Sequence, residues 1–313
     1  MSTLTVERLT PTIGVAVSGV DAQQLTNDDR VAVAVMDALE EHGVLVFRDL
    51  HLDPESQVTF CRRLGTIDES PGHHPVPGIY RVTRDTTKNA SAEYLKGTFV
   101  WHMDGCTPLN GEPPQKATML SAHALAAVGG ETSFASLYSA HDALDDDDRK
   151  RFASMRVVHS LEASQRRVYD DPTPDQVARW RNRPKSVHPL VWTRRSGRKS
   201  LVLGAHADHV EGMGCQEGRA LLDELLDRTT MPDRVYRHAW SVGDTVIWDN
   251  TGVVHRASPY DATSPRELLR TTVFGDEPIQ QARGQPPDRG SSSPDYRGND
   301  ASLGDVRTTT SRP

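Results

Sequence analysis

Two triplets in this chain have the residue types and spacing to hold a metal: His102-Met103-Asp104 and His206-Ala207-Asp208, the second followed by His209. On a strand, residues i and i+2 share a face, so each triplet would present an imidazole and a carboxylate side by side. A histidine from another strand would complete a two-histidine-one-carboxylate set, which suits iron(II) and leaves positions open for a chelating cosubstrate and oxygen. One His-x-Asp is weak evidence among 13 histidines, so the surroundings must choose. Phe99-Val100-Trp101 reads as a strand carrying the first triplet into the core. Gly243 to Asn250 reads as a turn and an apolar strand that leaves His255 at the far side of a loop. Beyond it, Arg266 and Arg270 are four apart near the start of another strand run. A guanidinium near a metal suits a carboxylate, because its fork engages two oxygens at once.

The elements that must position these residues are many strands with helices between them. Residues 4–20 contain Gly14 and Gly19 and suggest a strand pair closed by a turn. Residues 27–42 predict a helix with Asn27 as N-cap, ended by Gly43; Val44-Leu45-Val46-Phe47 is a buried strand, and 53–64 a second helix closing at Gly65. From 66 to 98, Pro71, Pro75 and Pro77 mark a long loop, the kind that is usually functional or disordered. Strand runs follow near 99–102, 117–123, 132–136, 188–193, 199–204, 234–240, 244–248 and 268–275, with helices at 139–153, 172–182 and 217–228. This pattern predicts a mainly β fold with helical cover, a jelly roll forming one domain over residues 1–282. Residues 283–313 are Gly, Pro, Ser, Asp and Arg with almost no large apolar side chain, and are expected to be a disordered tail.

Composition narrows the partners. With 36 basic against 43 acidic residues and a net charge of -7, the 313-residue chain lacks the cation excess of a nucleic-acid or membrane-surface binder. Cys61, Cys106 and Cys215 are far apart and form no CxxC pair, so neither a disulfide framework nor a cysteine zinc site is expected. No signal-peptide pattern and no run of about 20 apolar residues is present, which points to a cytoplasmic protein.

Several motifs in order resemble one family. Trp101-His102-Met103-Asp104, Gly-Gly-Glu-Thr at 129–132, His188-Pro189-Leu190-Val191, Trp248-Asp249-Asn250 with His255, and Arg266 with Arg270 look like the taurine dioxygenase family, which also contains dichlorophenoxyacetate and alkylsulfate dioxygenases. The likeness runs from about residue 8 to about residue 280. It implies a double-stranded β-helix and an enzyme using iron(II), 2-oxoglutarate and O2. By the same resemblance His102, Asp104 and His255 bind iron, Thr132 and Arg266 hold the distal carboxylate of 2-oxoglutarate, and Arg270 pairs with an anionic substrate. Such an enzyme hydroxylates a C–H of a sulfonate, sulfate ester or carboxylate such as an aryloxyalkanoate, often with cleavage, and releases succinate and CO2. Relatives commonly assemble as dimers or tetramers, so a homo-oligomer is expected.

The chain also departs from the pattern. Taurine-cleaving members carry a histidine in the loop after the second helix and an asparagine four residues before the first ligand. Here Ser70 and Thr98 stand at those places, with His73 and His74 slightly later, which nominates Ser70, His73 and Thr98 as substrate contacts and disfavours free taurine. The family's arginine after Trp-Asp-Asn is Thr251. Other readings stay open. His206, Asp208 and His209 resemble half of a metallo-β-lactamase motif, implying a zinc hydrolase, although Gly204 replaces its first histidine. His206 and Asp208 could instead pair with His255, or the jelly roll could be a non-catalytic binding protein.

Overall fold

In the computed structural model, residues 4–70, 72, 74–108 and 112–279 are described. The chain divides into two units after Ala282, and the unit from Arg283 to Pro313 lies outside the described residues, as does His73.

The fold follows from strands that alternate between two apolar neighbours. A seven-stranded sheet runs Thr5–Arg8, Val15–Ser18, Val44–Phe47, Thr245–Asp249, Gln115–Ala124, Glu267–Phe274, Tyr80–Val82. In Val44–Phe47, Val44 and Val46 face one cluster while Leu45 and Phe47 face another, so the whole run is buried and apolar. The outer cluster includes Leu25, Val31, Val35, Leu39, Val58 and Phe60, from the helices Ala22–Asn27, Asp29–His42 and Pro54–Leu64. The inner face meets a second sheet, Val235–His238, Thr132–Ser136, Val253–Ala257, and Phe134, Tyr236 and Val253 fill the space between them. Two sheets closing on one core make a jelly roll, and helices cover its outer face. A three-stranded sheet, Ala207–Val210, Arg156–His159, Ser186–Pro189, lies beyond with the pair Lys199–Leu201 and Val191–Thr193.

Several local expectations change. The helix expected to start at Asn27 starts two residues later, at Asp29, capped by the Asp28 side chain; Asn27 ends a short helix that opens with an Asp21–Gln24 capping box. The long loop 66–98 holds the strand Tyr80–Val82 and a 3-10 helix, Ala92–Phe99. The strand expected at 99–102 is therefore the end of that helix plus one isolated bridge at His102. The helix expected at 139–153 is two, Leu137–Asp142 and Asp146–Phe152.

Candidate active site

His255 lies beyond the turn at residues 250–252 as expected, on the strand Val253–Ala257, and is paired in register with Phe134 of the neighbouring strand. Its ring packs 4.6 Å from that of Trp248 and 6.2 Å from that of Phe134. His102 comes to it across a single antiparallel bridge. The His102 N–H donates to the His255 carbonyl at 3.0 Å, and the reverse bond is 2.9 Å. This puts the two imidazoles on one side, centroids 4.1 Å apart. The chain then turns, with Gly105 at φ +80°, and Asp104 swings its carboxylate under both rings. Asp104 therefore joins His102 through a bridge and a turn, not along one strand face.

The carboxylate oxygens lie 3.9 Å from Nε2 of His102 and 3.9 Å from Nε2 of His255, and the three donor atoms fall within 4.8 Å of one another. Nδ1 of His102 is 2.8 Å from the Val100 carbonyl, which can only accept, so that nitrogen carries the proton and Nε2 offers its lone pair. Burial pulls the His255 pKa down to about 3, keeping the imidazole neutral. Burial alone would raise the Asp104 carboxyl. The two histidines, the Arg270 guanidinium and a 3.1 Å hydrogen bond from Thr118 overcome it and hold the group below the usual range. Asn250 in turn donates to Thr118 at 2.8 Å, so a two-step relay orients the carboxylate. The sequence displayed Asn250 inside a recognisable motif but gave no sign that it acts through Thr118. Two imidazoles and one carboxylate are the donor set iron(II) takes.

The cavity over these three residues has a volume of about 410 Å³. Thr132, Arg266, Arg270 and Thr98 all line it. Arg266 is 3% exposed, donates to the Gly130 carbonyl at 2.8 Å and lies over the Tyr260 ring. Its Nε has no hydrogen-bond partner, and no salt bridge reaches it among the described residues. A buried, unpaired cation is costly unless an anion arrives. Thr132 accepts from the Trp240 indole at 3.0 Å, which leaves its hydroxyl proton free to donate. These groups fit a dicarboxylate with one end beside the triad. Arg270, on the same inner face as Leu268 and Leu120, stacks on Tyr80 and likewise has no ion-pair partner among the described residues. Thr98 lines the cavity but donates its hydroxyl to Leu95 at 2.7 Å. Ser70 is not brought there: it is exposed, and its N–H is held by Asp68.

The second triplet is pulled apart because His206 lies before the strand Ala207–Val210, whose register with Arg156–His159 shifts between Ala207 and His209. His206 is buried against Met103, whereas Asp208 pairs at the surface with Arg219 and His209. It forms neither a zinc site nor an iron site with His255. Below the triad, Asp249 is 3.1 Å from Lys116, and the space beside Thr251 is held by Arg194, which donates to the Thr251 hydroxyl and to Tyr138.

The comparisons with known proteins agree with this geometry. Residues 5–272 match the family model for taurine catabolism dioxygenase TauD, TfdA family. The chain belongs to the TauD/TfdA family. A 2,4-dichlorophenoxyacetate dioxygenase dependent on alpha-ketoglutarate, from Burkholderia sp. (strain RASC), is 37% identical over 80% of this chain and 88% of its own. An (S)-phenoxypropionate/alpha-ketoglutarate-dioxygenase of Sphingobium herbicidovorans is 32% identical over 88% of this chain and 96% of its own. The crystal structure of AAD-2 with Mn(II) and N-oxalylglycine superposes with a TM-score of 0.75 at 31% identity, covering 89% of this chain and all of that one. Like other members of the TauD/TfdA family, this jelly roll is an iron(II)- and 2-oxoglutarate-dependent dioxygenase, and the zinc-hydrolase and binding-protein readings find no support. No helix among the described residues is long and apolar enough to cross a membrane.

Proposed function

We propose that the enzyme hydroxylates the carbon next to the ether oxygen of an aryloxyalkanoate, with His102, Asp104 and His255 holding the iron. The observation that carries this is a pair of guanidiniums without carboxylate partners on one cavity, Arg266 and Arg270. Two unpaired cations suit two anions: 2-oxoglutarate at Arg266 with Thr132, and the substrate carboxylate at Arg270. Bound iron with 2-oxoglutarate and O2 supplies the oxidant for a C–H bond. Arg270 fixes the head group on the inner sheet, which aims the adjacent carbon at the triad, and Tyr94, Leu95 and Leu161 give the ring an apolar wall. One oxygen atom enters the substrate and the other enters succinate as CO2 leaves. The hydroxylated carbon then expels the aryl alcohol and becomes the carbonyl of a 2-oxo acid. The relatives named for dichlorophenoxyacetate and phenoxypropionate support this class over sulfonates. The same reading takes the enzyme as a cytoplasmic dimer or tetramer, and light scattering decides the assembly.

The test is an anaerobic titration with iron(II) and 2-oxoglutarate, then a screen of aryloxyalkanoates, alkyl sulfates and sulfonates for succinate. Aryloxyalkanoates should give succinate and a released phenol, and His255→Ala should abolish both. Turnover confined to sulfates or sulfonates would overturn the substrate class. Unchanged turnover in His255→Ala would overturn the iron site.

A further inference from the structure

Behind the triad, three histidines are buried together: His159, His188 and His206 are 0%, 3% and 6% exposed. Donor atoms of Cys106, His159 and His206 also fall within 4.8 Å of one another, which invites a second metal. Proton accounting argues otherwise. The Met103 N–H donates to Nε2 of His206 at 3.2 Å, so that nitrogen carries a lone pair and the His206 proton is on Nδ1. Nδ1 of His206 is 2.8 Å from Nδ1 of His159, which must therefore accept, leaving the His159 proton on Nε2. A metal at Nδ1 of His206 would force its proton onto Nε2, nose to nose with the Met103 N–H. His188 sits at the other end. Its Nε2 is 2.8 Å from the Cys106 carbonyl and must donate, so its Nδ1 keeps a lone pair.

The two nitrogens left over, Nε2–H on His159 and Nδ1 on His188, are a donor and an acceptor on rings 5.1 Å apart. The hydrogen bonds thus run in a fixed sense, from the Met103 N–H into His206, from His206 into His159, and from His188 into the Cys106 carbonyl. Neither leftover nitrogen has a hydrogen-bond partner among the described residues, so His206 backed by His159, and His188 by itself, make two separate anchors on the backbone of the segment 103–106, with Asp104 between them. Gly204 leaves the room for it: a Cβ there, at φ +143°, would come within 2.8 Å of Nε2 of His206, 3.1 Å of the His102 Cα and 3.2 Å of the Met103 nitrogen.

We infer that His206, His159 and His188 form a directional, metal-free clamp that holds the backbone of residues 103–106 so that Asp104 meets the two histidine ligands. These are positioning residues; none needs to touch substrate. The inference rests on the assignment of His102, Asp104 and His255 as the iron site, and its first test is independent of any metal. In metal-free protein with 15N-labelled histidine at neutral pH, NMR should show His206 as the Nδ1–H tautomer and His159 and His188 as Nε2–H tautomers. The opposite tautomer at His206 or His188 overturns the clamp.

The second test is metal affinity, read by cobalt(II) absorption. His206→Leu removes both hydrogen bonds and should weaken binding about tenfold to a hundredfold, the usual cost of losing an outer hydrogen bond at a metal site. His206→Gln has an acceptor oxygen and a donor nitrogen in the same sense and should recover most of it. Gly204→Ala should weaken binding as His206→Leu does. Equal affinity in wild type and His206→Leu, or failure of Gln to do better than Leu, overturns the clamp. If His102→Ala also leaves cobalt binding unchanged, the iron-site assignment has failed instead. Stoichiometric binding of a second cobalt ion that His159→Ala removes would return Cys106, His159 and His206 to a metal site.

Discussion

Arg266 lies so close to Gly130 that a Cβ on that glycine would fall 2.6 Å from the guanidinium Nε. The glycine is at φ +80°, so it both makes the turn and leaves the space the arginine fills. Arg266→Gln keeps a donor but removes the charge, and should weaken 2-oxoglutarate binding by roughly 3 kcal/mol, about a hundredfold in Kd. Gly130→Ala should act in the same direction by displacing the guanidinium. Isothermal titration with iron-loaded enzyme under nitrogen checks both, and wild-type affinity in Arg266→Gln would refute the assignment.

Arg270 should separate cleanly from Arg266. Arg270→Ala is expected to raise KM for an anionic substrate by roughly 2 kcal/mol, about thirtyfold, with 2-oxoglutarate affinity nearly unchanged. An equal loss of 2-oxoglutarate affinity would show that the two cations do not serve separate ligands.

The relay behind Asp104 predicts an effect from a residue that touches no ligand. Asn250→Leu leaves Thr118 free to turn away from the carboxylate, and metal affinity should fall about tenfold. Thr118→Val should do the same, and the double variant should be little worse than either alone, because both cut one path. Additive losses would argue for two independent roles.

Acid should destabilise the metal-free protein early. Burial pushes the pKa of His238 down to about 4 and that of His206 to about 3, with His159 also well below 6.5. Between 6.5 and those values the unfolded chain binds protons that the folded chain refuses. Stability is therefore full above about pH 6.5 and falls as pH drops, by up to about 1.4 kcal/mol per unit for each group. Urea unfolding at pH 7.5, 6.5 and 5.5 measures the slope, and a flat profile would mean that these histidines are charged or exposed in the fold.

What the sequence made legible was what local pattern encodes. Val44–Phe47 and the 246–248 stretch of Thr245–Asp249 are apolar runs that identify themselves, and Gly43 and Gly65 end their helices as expected. The three candidate ligands stood out because the family's motifs occur in order, and the fold brings their donor atoms within 4.8 Å of one another. The strand Tyr80–Val82 was not, because three half-buried residues become a strand only through pairing with Leu268–Arg270, far along the chain. The way Asp104 is held was also hidden: Thr118 and Asn250 reach it from strands or turns 14 and 132 residues from their partners. Spacing suggested that His102 and Asp104 share a strand face. A bridge and a glycine turn instead bring the same residues together.

At Thr251 the family's arginine is missing, yet Arg194 reaches the same spot from another strand's end, bonded to Thr251 and Tyr138. The guanidinium beside Thr251 thus comes from 57 residues away in the chain. The usual engineering advice, to restore the consensus residue, would here crowd two cations into one volume. Thr251→Arg should lower the melting temperature, at a cost of about 1–3 kcal/mol. Pairing it with Arg194→Ser should recover most of that loss in thermal unfolding, since this corner of the fold holds one guanidinium beside Thr251 and Tyr138.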